Sequence, residues 1–273
     1  MNHEKRIIAL EGALNARELG GLPLKNGRKV KSGKLIRTGR LSNITEADCK
    51  LLREHWNVTT IVDLRNKQEI LERPNVILEG SEFHHIGILA GELDGVSRVE
   101  NGMSIIDRAI VRARNLHNNG GAGKLLENIY GEIAETPYCM DRIHDLFELL
   151  LCQKDGALIW HCTSGKDRTG ITGALMLYAL GADMETIKED YLYTNIQNQE
   201  HREHLLHEMR ERGAEEELVE EMRVLESVEW KYVDNFFRIL ESNFGSIDRF
   251  LEDRIGLTSE KREQLLNLYT ETL

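Results

Sequence analysis

Residues 157–170, ALIWHCTSGKDRTG, constrain the fold more than any other stretch of the chain. A short apolar run ends at His161, five residues separate Cys162 from Arg168, and Thr169 and Gly170 lead into the apolar ITGALMLYAL. This reads as a strand, a tight loop and a helix. A buried strand that feeds a helix belongs to a layered α/β architecture. The expected fold is therefore a central, mainly parallel sheet of about four to five strands flanked by helices, with a helical insertion at about 98–136 and a helical C-terminal part, all in one domain over 1–273.

The same stretch sets the chemistry. A loop that wraps before a helix start points successive backbone N–H groups at its centre, and the helix dipole adds positive potential there. Such a loop cradles an anion through the backbone of Thr163, Ser164, Gly165 and Lys166. Cys162 sits at the floor of the cradle, where the field favours the thiolate, which makes it the expected nucleophile. Arg168 folds back over the loop and holds two phosphate oxygens with its planar fork. The Thr169 hydroxyl is placed to donate towards the sulfur, while Gly165 and Gly170 permit conformations and close approaches that a Cβ obstructs.

HCTSGKDRTG resembles the catalytic loop of the cysteine-dependent phosphatases, the protein tyrosine phosphatase superfamily with its His-Cys-x5-Arg-Ser/Thr pattern. The Gly-Lys-Asp-Arg-Thr-Gly ending is similar to that of the atypical bacterial tyrosine and phosphoinositide phosphatases. NARELGG at 15–21, TIVDLRNKQE at 60–69 and FGSIDRFLEDRIGLT at 244–258 fit the same group, so the resemblance spans most of the chain.

The resemblance implies phosphomonoester hydrolysis through a phosphocysteine, without metal or other cofactor, on phosphotyrosine protein or phosphoinositide substrates. A catalytically silent phosphate-binding module of the same fold is the main alternative; a sulfurtransferase or an arsenate reductase is remote. The leaving oxygen needs a proton, and the Trp-Pro-Asp tripeptide of familiar tyrosine phosphatases is absent. The resemblance then points to Asp167 as the acid, with Asp94, Asp107 and Asp141 as alternatives. Lys166 adds a second charge suited to doubly phosphorylated or inositol substrates. His161 is expected to order the loop and tune the thiolate. Asn15 and Arg17 either support the site or are a turn-forming residue and a solvated one, and Asp63 either braces the loop or makes a structural salt bridge.

A formal net charge of −11 argues against a general nucleic-acid or anionic-membrane binder. The four cysteines, Cys49, Cys139, Cys152 and Cys162, show no close pairing, and a catalytic thiolate needs reducing surroundings. The N-terminus lacks a secretory core and no run approaches a membrane span. These features give a cytoplasmic reading without membrane insertion, with a secreted mature form left open. The oligomeric state is not set by the sequence.

Along the chain, strands are expected at 6–10, 35–40, 58–65 and 83–88, with a helix beginning after Thr45. GELDGVSRVENG at 91–102 reads as a loop. Ile106, Ala109, Ile110 and Ala113 mark an amphipathic helix that carries Arg108 and Arg112 on another face. NNGGAGK at 118–124 lacks phosphate-loop spacing and reads as the link to a second helix, KLLENIYGEIAE. That pair is either a lid over the site or an ordinary packed pair. Ile143, Leu146, Phe147 and Leu150 form a core stripe, and helices are expected from there to the end apart from the catalytic strand. His84 and His85 alternate on a strand, and His201, His204 and His207 drift around a helix, so neither set reads as a metal site.

Overall fold

The computed structural model describes residues 3–89 and 103–272. The expected loop at 91–102, the first part of the expected insertion and the alternative acid Asp94 lie outside the described residues.

The chain opens with a short 3-10 turn, His3–Arg6, and then β1 (Arg17–Glu18), β2 (Pro23–Leu24), β3 (Arg28–Val30) and β4 (Leu35–Thr38). Next come α1 (Glu46–Lys50), which widens into a π turn over Leu51–His55, β5 (Val58–Asp63), α2 (Lys67–Glu72) and β6 (Glu82–His85). Helices α3 (Ile105–Asn118), α4 (Ala122–Glu135) and α5 (Pro137–Cys152) precede β7 (Ala157–His161) and α6 (Asp167–Ala179). The remainder is α7 (Met184–Gln197), α8 (Gln199–Glu211), α9 (Glu216–Leu225), α10 (Trp230–Phe244), α11 (Ile247–Arg249) with a π turn after it, α12 (Ser259–Tyr269) and β8 (Thr270–Thr272).

Five strands form the central sheet in the order β1-β4-β7-β5-β6. β4, β7, β5 and β6 are parallel and β1 joins the edge antiparallel to β4. The apolar side chains alternate between the two faces as a period of two requires. Leu35, Val62, Leu158 and Trp160 pack into the larger core, which α4, α5, α6 and α10 share. Ile36, Ile61 and Ile159 point to the opposite side and pack with Ile44 and Leu52. Register aligns Thr38, His161 and Asp63 at the carboxyl end of the three middle strands. This is the edge where parallel α/β sheets place their sites.

Local signals account for the element starts. Thr45 begins α1 with a capping box in which its hydroxyl accepts from the Asp48 N–H and the Asp48 carboxylate accepts from the Thr45 N–H. Asn66 and Glu69 form the same reciprocal pair at α2. Pro137 occupies the first turn of α5, where its missing N–H costs nothing.

Two features differ from the sequence expectations. The run at 6–10 is not a strand: it leaves the 3-10 turn, makes one antiparallel bridge from Ile7 to Arg17, and turns Arg6 inward to Asp190. The C-terminus ends in β8, which completes a second sheet, β2-β3-β8, on the β2-β3 hairpin. Strands of two or three residues carry too little periodicity to stand out in a sequence. The expected helical insertion is present as α3 and α4, which share one cluster through Ala113 and Ala122 and otherwise reach different neighbours. α4 is part of the main core, where Tyr130, Ile133 and Ala134 are fully buried. α3 packs with α8 and α9 around a separate cluster that includes Ala113, Leu206 and Met222.

Candidate active site

β7 delivers His161 and Cys162 to the carboxyl edge of the sheet, and α6 begins at Asp167. Between them the chain makes the tight loop anticipated from the sequence. Gly165 adopts φ +65°, and a Cβ there would lie 2.5 Å from the Thr38 carbonyl oxygen, so glycine is demanded by both backbone and space. Gly170 lies against the Tyr191 ring, which a Cβ would meet at 2.8 Å.

The first backbone hydrogen bond of α6 runs from Gly170 N–H to the Lys166 carbonyl at 2.9 Å. Among the described residues, the N–H groups of Thr163, Ser164, Gly165 and Lys166 donate to no protein acceptor. Unsatisfied backbone donors in a buried loop are rare unless an anion or solvent takes them. Cys162 lies at the base of this loop and is 3% exposed. It is a free thiol, as are Cys49, Cys139 and Cys152.

Arg168 is buried and faces Glu69 of α2 in a two-point ion pair, with Nη1 to Oε2 at 2.6 Å and Nη2 to Oε1 at 2.7 Å. Glu69 also accepts from the Thr163 hydroxyl and, as the capping-box residue of α2, from the Asn66 N–H at 2.9 Å. Burial opposes ionisation of Glu69, but the Arg168 hydrogen bonds and charge outweigh it and hold the carboxyl down to about 2. The same pair raises the Arg168 pKa against its own desolvation. The Arg168 Nε–H has no acceptor among the described residues.

His161 is fully buried, and burial lowers its pKa despite the charge of Asp63. Its Nδ1–H donates to the Cys162 carbonyl at 3.1 Å, while Nε2 accepts from Asn75 Nδ2 at 3.0 Å. Arg65 Nη2 donates to Asn75 Oδ1 at 2.9 Å, which fixes the amide orientation. Asn75 gives its second N–H to Asp63 Oδ2 at 3.0 Å. Asp63 thus makes a salt bridge with Arg65 at 2.7 Å and also braces the loop, through Asn75 and His161.

A second brace comes from beneath. The Gly165 carbonyl accepts from Asn15 Nδ2 at 2.8 Å and from Arg37 Nη2 at 3.0 Å. Asn15 holds a left-handed backbone at φ +60° and accepts from Arg17. Arg6, Arg17 and Arg37 all pair with Asp190 of α7. Burial and the neighbouring Arg37 lower the Arg17 guanidinium to about 9, and the three cations hold the Asp190 carboxyl far below the usual range against its burial. Asn15 thus takes a turn conformation and also reaches the loop, while Arg17 is fully buried rather than solvated.

The remaining expected residues separate. Asp167, at the loop rim, accepts from the Tyr130 hydroxyl at 3.0 Å and lies 3.2 Å from Lys166 Nζ. Tyr130 in turn meets Tyr191 hydroxyl to hydroxyl at 2.6 Å. Lys166 is buried, with its ammonium donating to the carbonyls of Leu225 and Ser227 at 2.6 and 3.2 Å. Thr169 keeps its hydroxyl buried with no hydrogen-bond partner among the described residues, the sulfur included. Asp107 lies in the first turn of α3, where its N–H donates to the capping Ser104 hydroxyl, and pairs with Arg212; Asp141 pairs with Arg254. His84 and His85 sit on β6, with His85 Nε2 donating to the Arg65 carbonyl at 2.7 Å, and His201, His204 and His207 are exposed on α8. No three metal-ligating side chains gather among the described residues, and no described helix is long and apolar enough to cross a membrane.

Glu69, Asn75, Arg37 and Asp190 complete the site without having been singled out by the sequence. Only Glu69 carried a local signal, the Asn66-x-x-Glu69 spacing of a capping box.

Comparison with known proteins follows the same outline. The profile of a family described as the tyrosine phosphatase family matches residues 8–271. A provisionally named tyrosine-protein phosphatase of Cupriavidus necator is 29% identical over 250 residues, 91% of this chain and 84% of its own length. The triple specificity protein phosphatase PtpB of Mycobacterium tuberculosis is 27% identical over 203 residues, 69% of either chain. A tyrosine-protein phosphatase of Nostoc commune is 23% identical over 174 residues, 62% of this chain and 51% of its own.

Proposed function

Because the chain belongs to the tyrosine phosphatase family, we propose that it hydrolyses phosphomonoesters through a phosphocysteine on Cys162, with phosphotyrosine protein or phosphoinositide as the substrate class. The observation that carries this reading is the loop itself: four consecutive N–H groups that follow Cys162 find no protein acceptor among the described residues, and Arg168, at the end of the loop, is held by Glu69.

In the first step the Cys162 thiolate attacks phosphorus in line, the P–O bond to the leaving group breaks, and Asp167 gives that oxygen a proton. In the second, water attacks the phosphocysteine, its proton passes to Asp167, and the thiolate leaves. Loop amides and Arg168 stabilise the equatorial oxygens in both steps. The Tyr130 hydroxyl, hydrogen-bonded to Asp167, orients the acid. His161, neutral and hydrogen-bonded on both nitrogens, fixes the strand end that presents Cys162.

The test is phosphate release from phosphotyrosine peptide, phosphoserine peptide and a phosphoinositide panel, with chelator and reductant present, beside Cys162→Ser. Release that Cys162→Ser abolishes, a loss on the order of 10⁴ or more for a nucleophile, supports the reading. Steady turnover by Cys162→Ser at the normal rate sinks the nucleophile assignment, and phosphate binding without release by the wild type favours the silent binding module.

A further inference from the structure

A cavity of about 960 Å³ opens beside the loop, with Thr163 and Ser164 on its wall. This lies at the upper end of the volumes of small-molecule sites. Arg40, Arg73, Arg108 and Arg112 line it. In a chain with a net charge of −11, none of these four makes an ion pair among the described residues. The Nε groups of Arg40 and Arg112 are buried with no hydrogen-bond partner. Three carboxylates, Glu11, Glu72 and Glu226, also border the cavity. Glu11 accepts from Thr45 and Glu72 from Gln68 instead of from the arginines.

Arg40 is coupled directly to the catalytic loop, because its backbone N–H donates to the Thr163 carbonyl at 3.0 Å. Burial lowers its pKa, the neighbouring Arg73 and Arg65 add to this, and Glu226 opposes them. Arg108 and Arg112 stand one turn apart on α3 and approach from the opposite element. Guanidinium groups whose forks have no protein acceptor among the described residues are matched to a phosphate, which accepts two N–H bonds from one fork.

We infer that this cavity is a second anion subsite, in which Arg40, Arg108 and Arg112 hold a second phosphate of the substrate whose first phosphate sits over Cys162. The inference rests on the phosphomonoesterase reading above and names its substrate: a compact bisphosphate, free or as the head group of a lipid. Thr163, Ser164 and the three arginines line one cavity, which suits two phosphates carried on one small frame such as a phosphorylated ring. Lys166, whose ammonium is spent on the Leu225 and Ser227 carbonyls, is not the second charge.

The experiment measures binding calorimetrically with the Cys162→Ser protein, so that no probe is consumed. The probes are inositol bisphosphates and their matched monophosphates, a doubly phosphorylated peptide, and vesicles with and without a phosphoinositide bearing two ring phosphates. At least one bisphosphate is expected to bind tenfold or more tightly than its monophosphate, and adding Arg40→Gln with Arg112→Gln is expected to remove that advantage. Comparing the two ligands within each protein cancels any general loss. Preference for the free ring or for the vesicle identifies the source of the phosphates. Equal affinity for mono- and bisphosphates, an advantage that survives the double substitution, or tighter binding of the doubly phosphorylated peptide overturns the inference. Turnover of 4-nitrophenyl phosphate by the wild type is read separately: its absence defeats the phosphatase reading while the binding data still decide the subsite.

Discussion

Glu69 and Arg168 meet across the rim of the loop through two hydrogen bonds of 2.6 and 2.7 Å. The same carboxylate starts α2, so a helix cap and the guanidinium of the candidate site share one side chain. In the proposed mechanism Arg168 is thereby oriented before substrate arrives, which spares the reaction the cost of ordering a long flexible side chain.

Glu69→Gln is expected to lower kcat/KM by about 10- to 100-fold for every substrate, since one misaligned charge contact costs a few kcal/mol. Stability should respond as well. The depressed Glu69 pKa means that its contribution, about 3 kcal/mol for a shift to about 2, is fully present above the ordinary glutamate range and is lost as pH falls through about 2. Denaturant unfolding of wild type and Glu69→Gln from pH 6 to 2 checks this. A stability difference that stays constant with pH would contradict it.

Asp167→Asn should slow alkyl phosphates by on the order of 10²-fold or more and 4-nitrophenyl phosphate far less, because a good leaving group needs no proton. Tyr130→Phe should act in the same direction more weakly. Equal losses on both substrate types would remove Asp167 from the acid role.

Gly165→Ala is expected to cost at least about 1–3 kcal/mol from the left-handed backbone alone. The overlap with the Thr38 carbonyl adds to this. Thermal unfolding and phosphate affinity should both fall. An alanine variant with wild-type melting would show that the loop tolerates a Cβ there.

His161 should be neutral at pH 7, with its proton on Nδ1 and a titration midpoint below the usual histidine value of about 6.5. Below that pH the unfolded chain binds a proton that the folded imidazole refuses. Its contribution to stability is therefore whole above about 6.5 and declines as pH falls towards the folded midpoint. Nitrogen-detected NMR of the ring gives both tautomer and midpoint; a midpoint at or above 6.5 would refute the assignment.

Some of this protein was determined by sequence alone, because the determining forces are local. The strand, loop and helix at 157–170 follow from an apolar run, glycines where the backbone needs them, and the fixed spacing of Cys162 and Arg168. The caps at Thr45 and Asn66 are likewise short-range hydrogen bonds. Other features were decided only by tertiary structure, where the partner of each charge is distant in the chain. Asp190 gathers Arg6, Arg17 and Arg37 from the opposite end of the sequence, and nothing near any of the four residues announces the cluster. Lys166 sits in the motif, yet carbonyls at the end of α9 decide where its charge goes. The docking of α3 on α8 and α9 and the pairing of β8 with β3 also depend on which apolar face or strand edge finds which neighbour. A single sequence encodes the amphipathic face but not its partner, because burial rewards any complementary surface and only the assembled chain selects one.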